Sequence, residues 1–297
     1  MTIDPAFLLV GAEEPRRRPS DWQVFVKFVT ANWRRILPFM VLAPGACGLM
    51  LLWLENSLLF PAPKYDPRDG WNAAAYGAED VWFNSADGTK LHGWYFPRPE
   101  PRAYLLYCHG NGDCVAYHGE FGQLSRDLNI AIFHFDYRGY GRSEGTPHEA
   151  GVLADGVAAR DWLATKAGVP QAQIVLMGRS LGGAVAVDLA ARDGARGLIL
   201  QNTFTSIPDM AQRMYWFLPA RYLVRTQFNS AAKIDRYAGP LLISHGRADG
   251  IVPFSMGRKL FDLAPGKKEF FPIDGGNHND NEPAEYAAAL EKFLGAL

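Results

Sequence analysis

The sequence has little of what marks several specialised classes of protein. Only three of its 297 residues are cysteines, Cys47, Cys108 and Cys114, which are too few for a framework of several disulfides and lack the paired spacing of a zinc site. The formal net charge is −1, so no basic excess indicates nucleic-acid binding. We therefore expect no metal and no nucleic-acid partner. A single Cys108–Cys114 bridge stays open if this part of the chain lies in an oxidising compartment.

Long apolar runs are also scarce, with one exception near the N-terminus. Residues 36–54, ILPFMVLAPGACGLMLLWL, carry no charge and approach the roughly 20 residues that a membrane-spanning helix needs. Basic residues precede this stretch, so the positive-inside bias predicts a cytoplasmic N-terminus and a periplasmic or lumenal main domain. The prolines and glycines inside the stretch would strain a simple helix, which leaves open a monotopic attachment that lies on the membrane.

The remainder of the sequence divides into a linker and one large domain. Residues 1–55 form the N-terminal segment, residues 56–80 read as a linker rich in Pro, Gly, Asp and Asn, and residues 81–297 alternate strand and helix signals. Short continuous apolar runs indicate strands buried on both faces. We expect an α/β fold with an eight-stranded, mostly parallel sheet and helices on both faces. The predicted strands are Val81–Ser85, Leu91–Phe96, Ala103–Cys108, Ile130–Phe135, Ile174–Met177, Gly197–Leu200, Leu241–Ser244 and Glu269–Ile273.

The pattern G-x-S-x-G occurs at residues 178–182, between a predicted strand and a predicted helix. A sharp turn at this place lifts the hydroxyl of Ser180 clear of the sheet, and the glycines leave room for the turn. The helix that begins at Leu181 directs free N–H groups towards the same point. The pattern alone also fits an ordinary glycine-rich turn, so the assignment of Ser180 as a nucleophile depends on its partners.

A serine nucleophile needs a base, and the base needs an acid that orients it. Two histidines follow Ser180 in the sequence. His278 lies after the last predicted strand and fits the base, whereas His245 directly follows the preceding strand. Asp249 lies in the loop after that preceding strand and fits the acid. The order serine, acid, histidine at three strand ends predicts a triad of Ser180, Asp249 and His278.

The loop after the predicted strand Ala103–Cys108 contains the sequence His109-Gly110-Asn111-Gly112. A loop at this position suits an oxyanion hole, which needs two backbone N–H groups aimed at one point. We assign these to Leu181 and Asn111. His109 is expected to hold the loop rather than to act as a second base.

One connection, between Gln201 and Ala238, is longer and more apolar than the topology requires. We interpret residues 207–232 either as a small cap whose apolar side chains contact an acyl group or as an ordinary amphipathic helix packed on the core. The candidate substrate contacts in this segment are Met210, Met214, Trp216 and Phe217.

Six motifs carry a resemblance to a known family: CHGNGD, FDYRGYGRSEGTP, GRSLGG, QNTFTSIPDMA, SHGRADGIVP and GGNHND. In this order they resemble α/β-hydrolase-fold serine hydrolases, and together they look like the membrane-anchored branch related to the depalmitoylating hydrolases of animals and their bacterial and fungal relatives. By position, the resemblance implies the same triad and the same oxyanion hole. One departure is Gln201, where relatives often carry a glutamate. Asp136 and Arg138 of the second motif look structural.

These observations predict a serine hydrolase that cleaves carboxylic ester or thioester bonds through an acyl-enzyme intermediate and needs no cofactor. The apolar stretch and the apolar connection favour lipid-like or acylated substrates. Two alternatives stay open. One is a serine peptidase that acts on small peptides, and the other is a catalytically silent binding module at the membrane.

Overall fold

The computed structural model describes residues 21–68, 71–280 and 282–297, with the side chains of residues 24, 36 and 39–54 left aside. The chain divides into two compact units, Met1–Leu51 and Leu52–Leu297. The larger unit holds the whole sheet and all the candidate site residues.

The first helix, α1, spans Asp21–Leu59 and contains the apolar stretch predicted as a membrane anchor. Its backbone continues through Pro44 and Gly45 without leaving the helix. The side chains of the stretch lie mostly outside the described residues, and so does the anchor prediction that rests on them. Within the part of the chain that the structure describes, no helix combines the length and the apolar character needed to cross a membrane.

In the larger unit, eight strands form one sheet in the order β1-β2-β4-β3-β5-β6-β7-β8. The β1–β2 and β2–β4 pairs are antiparallel, and the remaining neighbours are parallel. The predicted fold class is therefore confirmed. The strands are β1 Glu79–Asn84, β2 Lys90–Phe96, β3 Ala103–Cys108, β4 Ile130–Phe135, β5 Ile174–Arg179, β6 Gly197–Gln201, β7 Leu241–Gly246 and β8 Lys268–Ile273.

Helices cover both faces of this sheet. Because successive side chains of a strand point to opposite faces, Leu176 of β5 packs into one apolar cluster while Val175 and Met177 pack into another. Helices α3, α4 and α6 contribute to the first cluster, and α2 and α7 contribute to the second. The helices after α1 are α2 Phe121–Leu128, α3 Glu149–Ala167, α4 Leu181–Asp193, α5 Ile207–Met214, α6 Phe254–Leu263 and α7 Ala284–Gly295.

The stretch read from the sequence as a linker, residues 56–80, contacts the domain at several of its described residues. Its first residues complete α1, which ends at Leu59, and its last two belong to β1. Phe60 is buried and its ring lies 6.2 Å from that of Phe228. Lys64 forms a bridge with Gly141. Proline and glycine content indicated irregular backbone there, but it carried no information on whether that backbone is packed.

Candidate active site

Ser180 occupies the sharp turn between β5 and α4. Its backbone has φ 51° and ψ −115°, a left-handed conformation that is unfavourable for a residue with a side chain and that is typical of a nucleophile elbow. Two hydrogen bonds connect this turn to β6 and to the residues that follow β6. The Ser180 N–H donates to the Gln201 carbonyl at 2.9 Å, and the Thr203 hydroxyl donates to the Ser180 carbonyl at 2.7 Å.

The glycines around Ser180 are required by close backbone contacts. A Cβ at Gly182 would overlap the backbone of Cys108, and a Cβ at Gly178 would overlap the backbone of Gly182. The start of α4 can therefore approach β3 and β5 only where side chains are absent. The close backbone approach therefore explains why this chain has glycine at both ends of the G-x-S-x-G pattern.

The structure brings Ser180, His278 and Asp249 into one hydrogen-bonded chain. His278 Nε2 lies 3.1 Å from Ser180 Oγ, and His278 Nδ1 lies 2.7 Å from Asp249 Oδ2. The other carboxylate oxygen of Asp249 accepts the N–H groups of Ile251 at 2.9 Å and Val252 at 2.8 Å. With Nδ1–H donating to Asp249, Nε2 of the neutral imidazole is free to accept the Ser180 proton.

The surroundings of Asp249 keep its carboxylate ionised. Burial favours the neutral form, but hydrogen bonds from His245 and His278 and from the Val252 N–H outweigh it and hold the pKa of Asp249 well below its usual range. His245, the second histidine considered from the sequence, donates from Nε2 to the Val252 carbonyl at 2.9 Å, with Asp249 Oδ2 at 3.5 Å. It therefore lies behind the carboxylate. Its contact with Asp249 was not anticipated.

Two side chains form hydrogen bonds with the loop that contains His278. Neither side chain was assigned a role from the sequence. Arg179 Nη2 donates to the carbonyl of His278 at 2.6 Å and to that of Asp280 at 3.2 Å. Asn202 Nδ2 donates to the same His278 carbonyl at 3.1 Å, and Asn202 Oδ1 accepts the Gly246 N–H at 2.9 Å. Both residues stand at carboxyl ends of strands, β5 and β6, which is the only signal that could have singled them out.

The backbone N–H groups assigned to an oxyanion hole lie in the expected elements. Leu181 is the first residue of α4, so its N–H has no acceptor within the helix. Asn111 follows β3, and its side chain is fixed on both sides. Its amide nitrogen donates to the Leu59 carbonyl, and its amide oxygen accepts the Tyr140 hydroxyl at 2.6 Å. The Asn111 loop is thereby tied to the end of α1.

The histidine and the charged residues interpreted as structural are all buried and internally bonded. His109 Nδ1 lies 2.7 Å from the Gly110 carbonyl oxygen. Asp136 accepts the Val115 N–H at 2.9 Å. Arg138 donates to Asp155 at 2.8 Å. These contacts account for the three side chains as supports of the loops that flank the site.

Gln201, the departure noted in the sequence, faces a second carboxyl group. Its Nε2 donates to Glu282 Oε1 at 3.0 Å. Burial raises the pKa of Glu282 to about 7, although the positive charge of Arg179 opposes the change. A glutamate at position 201 would bring a second carboxylate against Glu282 and disfavour ionisation of both, whereas the neutral amide of Gln201 donates a hydrogen bond instead.

The candidate substrate contacts in the 207–232 segment are largely on the surface. Met210 of α5 is partly buried against the main apolar cluster. Met214, Trp216 and Phe217 are 65%, 78% and 65% exposed. These three side chains therefore form an outward-facing apolar surface rather than a wall buried against the domain.

The two described cysteines are free and buried. Burial raises the pKa of the thiols of Cys108 and Cys114 to about 12, which makes both thiols unreactive. Among the described residues, no group of three or more histidine, cysteine or acidic side chains could hold a metal ion.

A mostly parallel sheet with helices on both faces, a serine on a strained strand-to-helix turn and a buried histidine and aspartate beside it define an α/β hydrolase. Comparison with known proteins agrees. The family model described as "Serine aminopeptidase, S33" (Hydrolase_4) matches residues 99–236. The chain is 33% identical over 267 residues to an uncharacterized protein of Mycobacterium tuberculosis, with 88% of this chain and 95% of that protein covered. This chain belongs to the α/β-hydrolase family.

Two further likenesses extend over most of the chain. The mouse (Mus musculus) protein named alpha/beta hydrolase domain-containing protein 17C is 32% identical over 264 residues, which is 84% of this chain and 75% of the mouse protein. The structure of the esterase Pf2001 of Pyrococcus furiosus superposes with a TM-score of 0.66 at 17% identity, and covers 79% of this chain and 96% of the esterase chain. At that identity the superposition shows a shared fold alone.

Proposed function

We propose that this protein is a serine hydrolase that cleaves carboxylic ester or thioester bonds through an acyl-enzyme. The observation that carries the proposal is the hydrogen-bonded chain from Ser180 Oγ through His278 to Asp249, with its distances of 3.1 Å and 2.7 Å. A side chain that aims a basic nitrogen at a serine hydroxyl, and that is itself oriented by an ionised carboxylate, can activate that hydroxyl.

In the first half of the reaction, His278 Nε2 takes the proton of Ser180 as Oγ attacks the acyl carbonyl carbon. The carbonyl oxygen becomes an oxyanion that accepts hydrogen bonds from the N–H groups of Leu181 and Asn111. His278 then gives the proton to the leaving alcohol or thiol as the bond to it breaks. The acyl group stays on Ser180 as an ester.

In the second half, His278 removes a proton from water, which attacks the acyl-enzyme and releases the carboxylic acid and Ser180. Asp249 holds Nδ1–H of His278 and stabilises the imidazolium in both halves, without being protonated itself. Loss of one N–H donor of an oxyanion hole costs about 10²–10³ in turnover, so displacement of the loop that holds Asn111 is expected to slow turnover by up to that factor.

A fluorophosphonate probe tests the nucleophile. We expect the wild-type protein to be labelled and Ser180→Ala to be unlabelled. Ser255→Ala removes an exposed serine on the first turn of α6 and serves as the matched control, which should label like the wild type. Undiminished labelling of Ser180→Ala would refute the role of Ser180.

We further propose lipid-like or acylated substrates and attachment to a membrane through residues 36–54, with the domain on the periplasmic or lumenal side. The uncharged stretch and the apolar 207–232 segment support this part of the proposal. Turnover of p-nitrophenyl esters should rise with acyl length, and a preference for acetyl over long chains would count against it. In sealed vesicles, the exposed Arg68 should be cut by trypsin added to the side that holds the domain.

A peptidase is the second candidate, because the matching family model is described as a serine aminopeptidase. The same triad can attack a peptide carbonyl, so the choice depends on the leaving group that the protein accepts. Side-by-side turnover of matched ester, thioester and peptide-amide substrates separates the two functions. Complete inactivity of the folded protein on all three classes would instead favour a silent binding module.

A further inference from the structure

A group of exposed apolar side chains lies at the C-terminal end of α5 and directly after it. The residues 214–223, which we name the aromatic loop, expose seven large apolar side chains: Met214, Tyr215, Trp216, Phe217, Leu218, Tyr222 and Leu223. Single exposed apolar residues are normal on a soluble protein, but a contiguous group of this kind marks a contact with another apolar phase or with a partner.

The aromatic loop is held in its outward conformation by α5. Gln212 Nε2 donates to the Leu218 carbonyl at 2.9 Å, and Gln212 Oε1 accepts the Arg221 N–H at 3.4 Å. The Arg221 guanidinium lies 3.5 Å from Asp209. Ile207 and Met210 of α5 pack against the main apolar cluster. The helix from which the exposed rings extend is therefore fixed to the domain.

Two contacts fix where the loop lies relative to the candidate site. The buried carboxylate of Glu55 accepts the N–H groups of Arg225 at 3.1 Å and Thr226 at 2.7 Å, directly after the aromatic loop. One helical turn further, the Leu59 carbonyl accepts the side-chain N–H of Asn111. The last turn of α1 therefore joins the flank of the aromatic loop to the loop assigned to the oxyanion hole.

Glu55 is also the residue that follows the apolar stretch 36–54 in the sequence. Since a helix rises about 1.5 Å per residue, Leu59 lies only about 7.5 Å along the helix axis beyond residue 54. The end of the apolar stretch in the sequence and the flank of the aromatic loop therefore meet at Glu55.

The charges beside the loop suit an anionic lipid surface. Arg221 pairs with Asp209 and Arg225 pairs with Glu55, yet both arginine side chains stay at least half exposed, and Arg213 adds a further positive charge. Tyrosine, tryptophan and arginine side chains together are typical of segments that lie at the boundary between lipid headgroups and acyl chains.

We propose that the aromatic loop docks into the headgroup region of an anionic phospholipid bilayer and turns the Ser180 edge of the sheet towards the lipid. One consequence of this docking, that acyl groups embedded in the membrane reach Ser180, rests on the proposed function. The docking itself does not depend on catalysis.

An environment-sensitive label tests the docking. In a full-length Cys47→Ser background, in which Cys108 and Cys114 are buried, Phe217→Cys carries a nitrobenzoxadiazole label and Ala172→Cys carries the matched control. Ala172 is exposed just before β5, at the opposite edge of the sheet. With the protein bound to vesicles of phosphatidylcholine and phosphatidylglycerol, the label at 217 should shift to the blue and brighten, more strongly as phosphatidylglycerol increases. The label at 172 should not change.

Two results would overturn the proposal. The first is a label at 217 that keeps its aqueous spectrum on vesicle-bound protein. The second is a blue shift that needs no vesicles and grows with protein concentration, because a second copy of the chain would then cover the loop.

A kinetic comparison tests the consequence separately. The double variant Tyr222→Ser, Leu223→Ser, at two exposed positions of the aromatic loop, should turn over a soluble short-chain ester like the wild type. It should lose about tenfold on a long-chain ester embedded in vesicles because two apolar contacts with lipid are gone. Leu263→Ser, an exposed apolar position at the end of α6, should leave both rates unchanged. Equal losses on both substrates would refute lipid access through the loop. Inactivity of the wild type on every ester would refute the proposed function. The spectrum of the label at position 217 would still show whether the loop docks.

Discussion

Replacement of Arg179 by methionine should slow turnover while leaving substrate affinity almost unchanged. Arg179 lies next to Ser180 and donates to the carbonyls of His278 at 2.6 Å and Asp280 at 3.2 Å. Methionine has similar length and cannot donate. The His278 loop would then keep only the Asn202 amide, which donates to the same carbonyl at 3.1 Å.

The size of the effect follows from the bonds that are lost. A hydrogen bond from a charged donor contributes about 1.5–3 kcal/mol, but Asn202 still restrains the His278 carbonyl, so we take the lower end of that range. About 1.4 kcal/mol corresponds to tenfold in rate. We expect kcat on a soluble short-chain ester to fall about tenfold and KM to change less than about threefold, because the base is misplaced and the binding surface is not.

The controls separate positioning from a general loss of structure. Arg247→Met removes an exposed arginine that pairs with Asp274 at 2.6 Å and should leave kcat unchanged. Arg179→Lys should recover part of the loss. Combined with Asn202→Ala, Arg179→Met should cost more than the sum of the single changes in activation free energy, because both donors hold one carbonyl. An unchanged kcat in folded Arg179→Met protein, or a loss confined to KM, would refute this reasoning.

Three further predictions concern stability and reactivity. Gly182→Ala should lower the free energy of unfolding by about 1–3 kcal/mol, measured by urea denaturation, because its Cβ would overlap the Cys108 carbonyl; a stability equal to that of the wild type would contradict the close approach of α4 to β3. Glu282 binds its proton more tightly in the folded state, with a pKa of about 7 against an ordinary 4.5; its contribution is therefore fully present below pH 4.5 and is lost as the pH rises to 7, by up to about 3 kcal/mol. Glu282→Gln should flatten the pH dependence of Tm over that interval, and an unchanged slope would be inconsistent with the raised pKa. Iodoacetamide at pH 8 should alkylate Cys108 and Cys114 only after unfolding, since burial raises the pKa of both thiols to about 12; rapid modification of the native protein, located by peptide mapping, would contradict their burial.

The elements that sequence reasoning located well are those whose signal is local. The predicted β3 and β4 agree with the structure to the residue, because a strand buried on both faces needs an uninterrupted apolar run. Ser180, Asp249 and His278 stand directly after or near the ends of parallel strands, and those ends meet at one edge of the sheet. The order and the positions of the strands in the sequence were therefore enough to predict that these three residues lie close together.

What the sequence could not reveal depends on contacts between distant segments. Arg179 and His278 are far apart in the chain, and an arginine beside the serine has many solvated conformations. The His278 carbonyl that accepts the hydrogen bond of Arg179 comes into place only when the loop is folded. Likewise, the carboxylate of Glu55 reads as a surface charge at the end of an apolar helix, yet it is buried against the N–H groups after the aromatic loop. Trp216 and Phe217 read as core or cap residues, because apolar composition does not tell which side chains face outward.

The central claim is that Ser180 carries the acyl group during turnover, and trapping the intermediate tests it most directly. The wild-type protein is mixed with a p-nitrophenyl ester, quenched in acid within the first turnovers and digested for peptide mass spectrometry. We predict the acyl mass on the peptide that contains Ser180, and its loss on chase with excess buffer before quenching. Steady release of p-nitrophenol with the acyl group on another residue, or on no residue, would contradict the account.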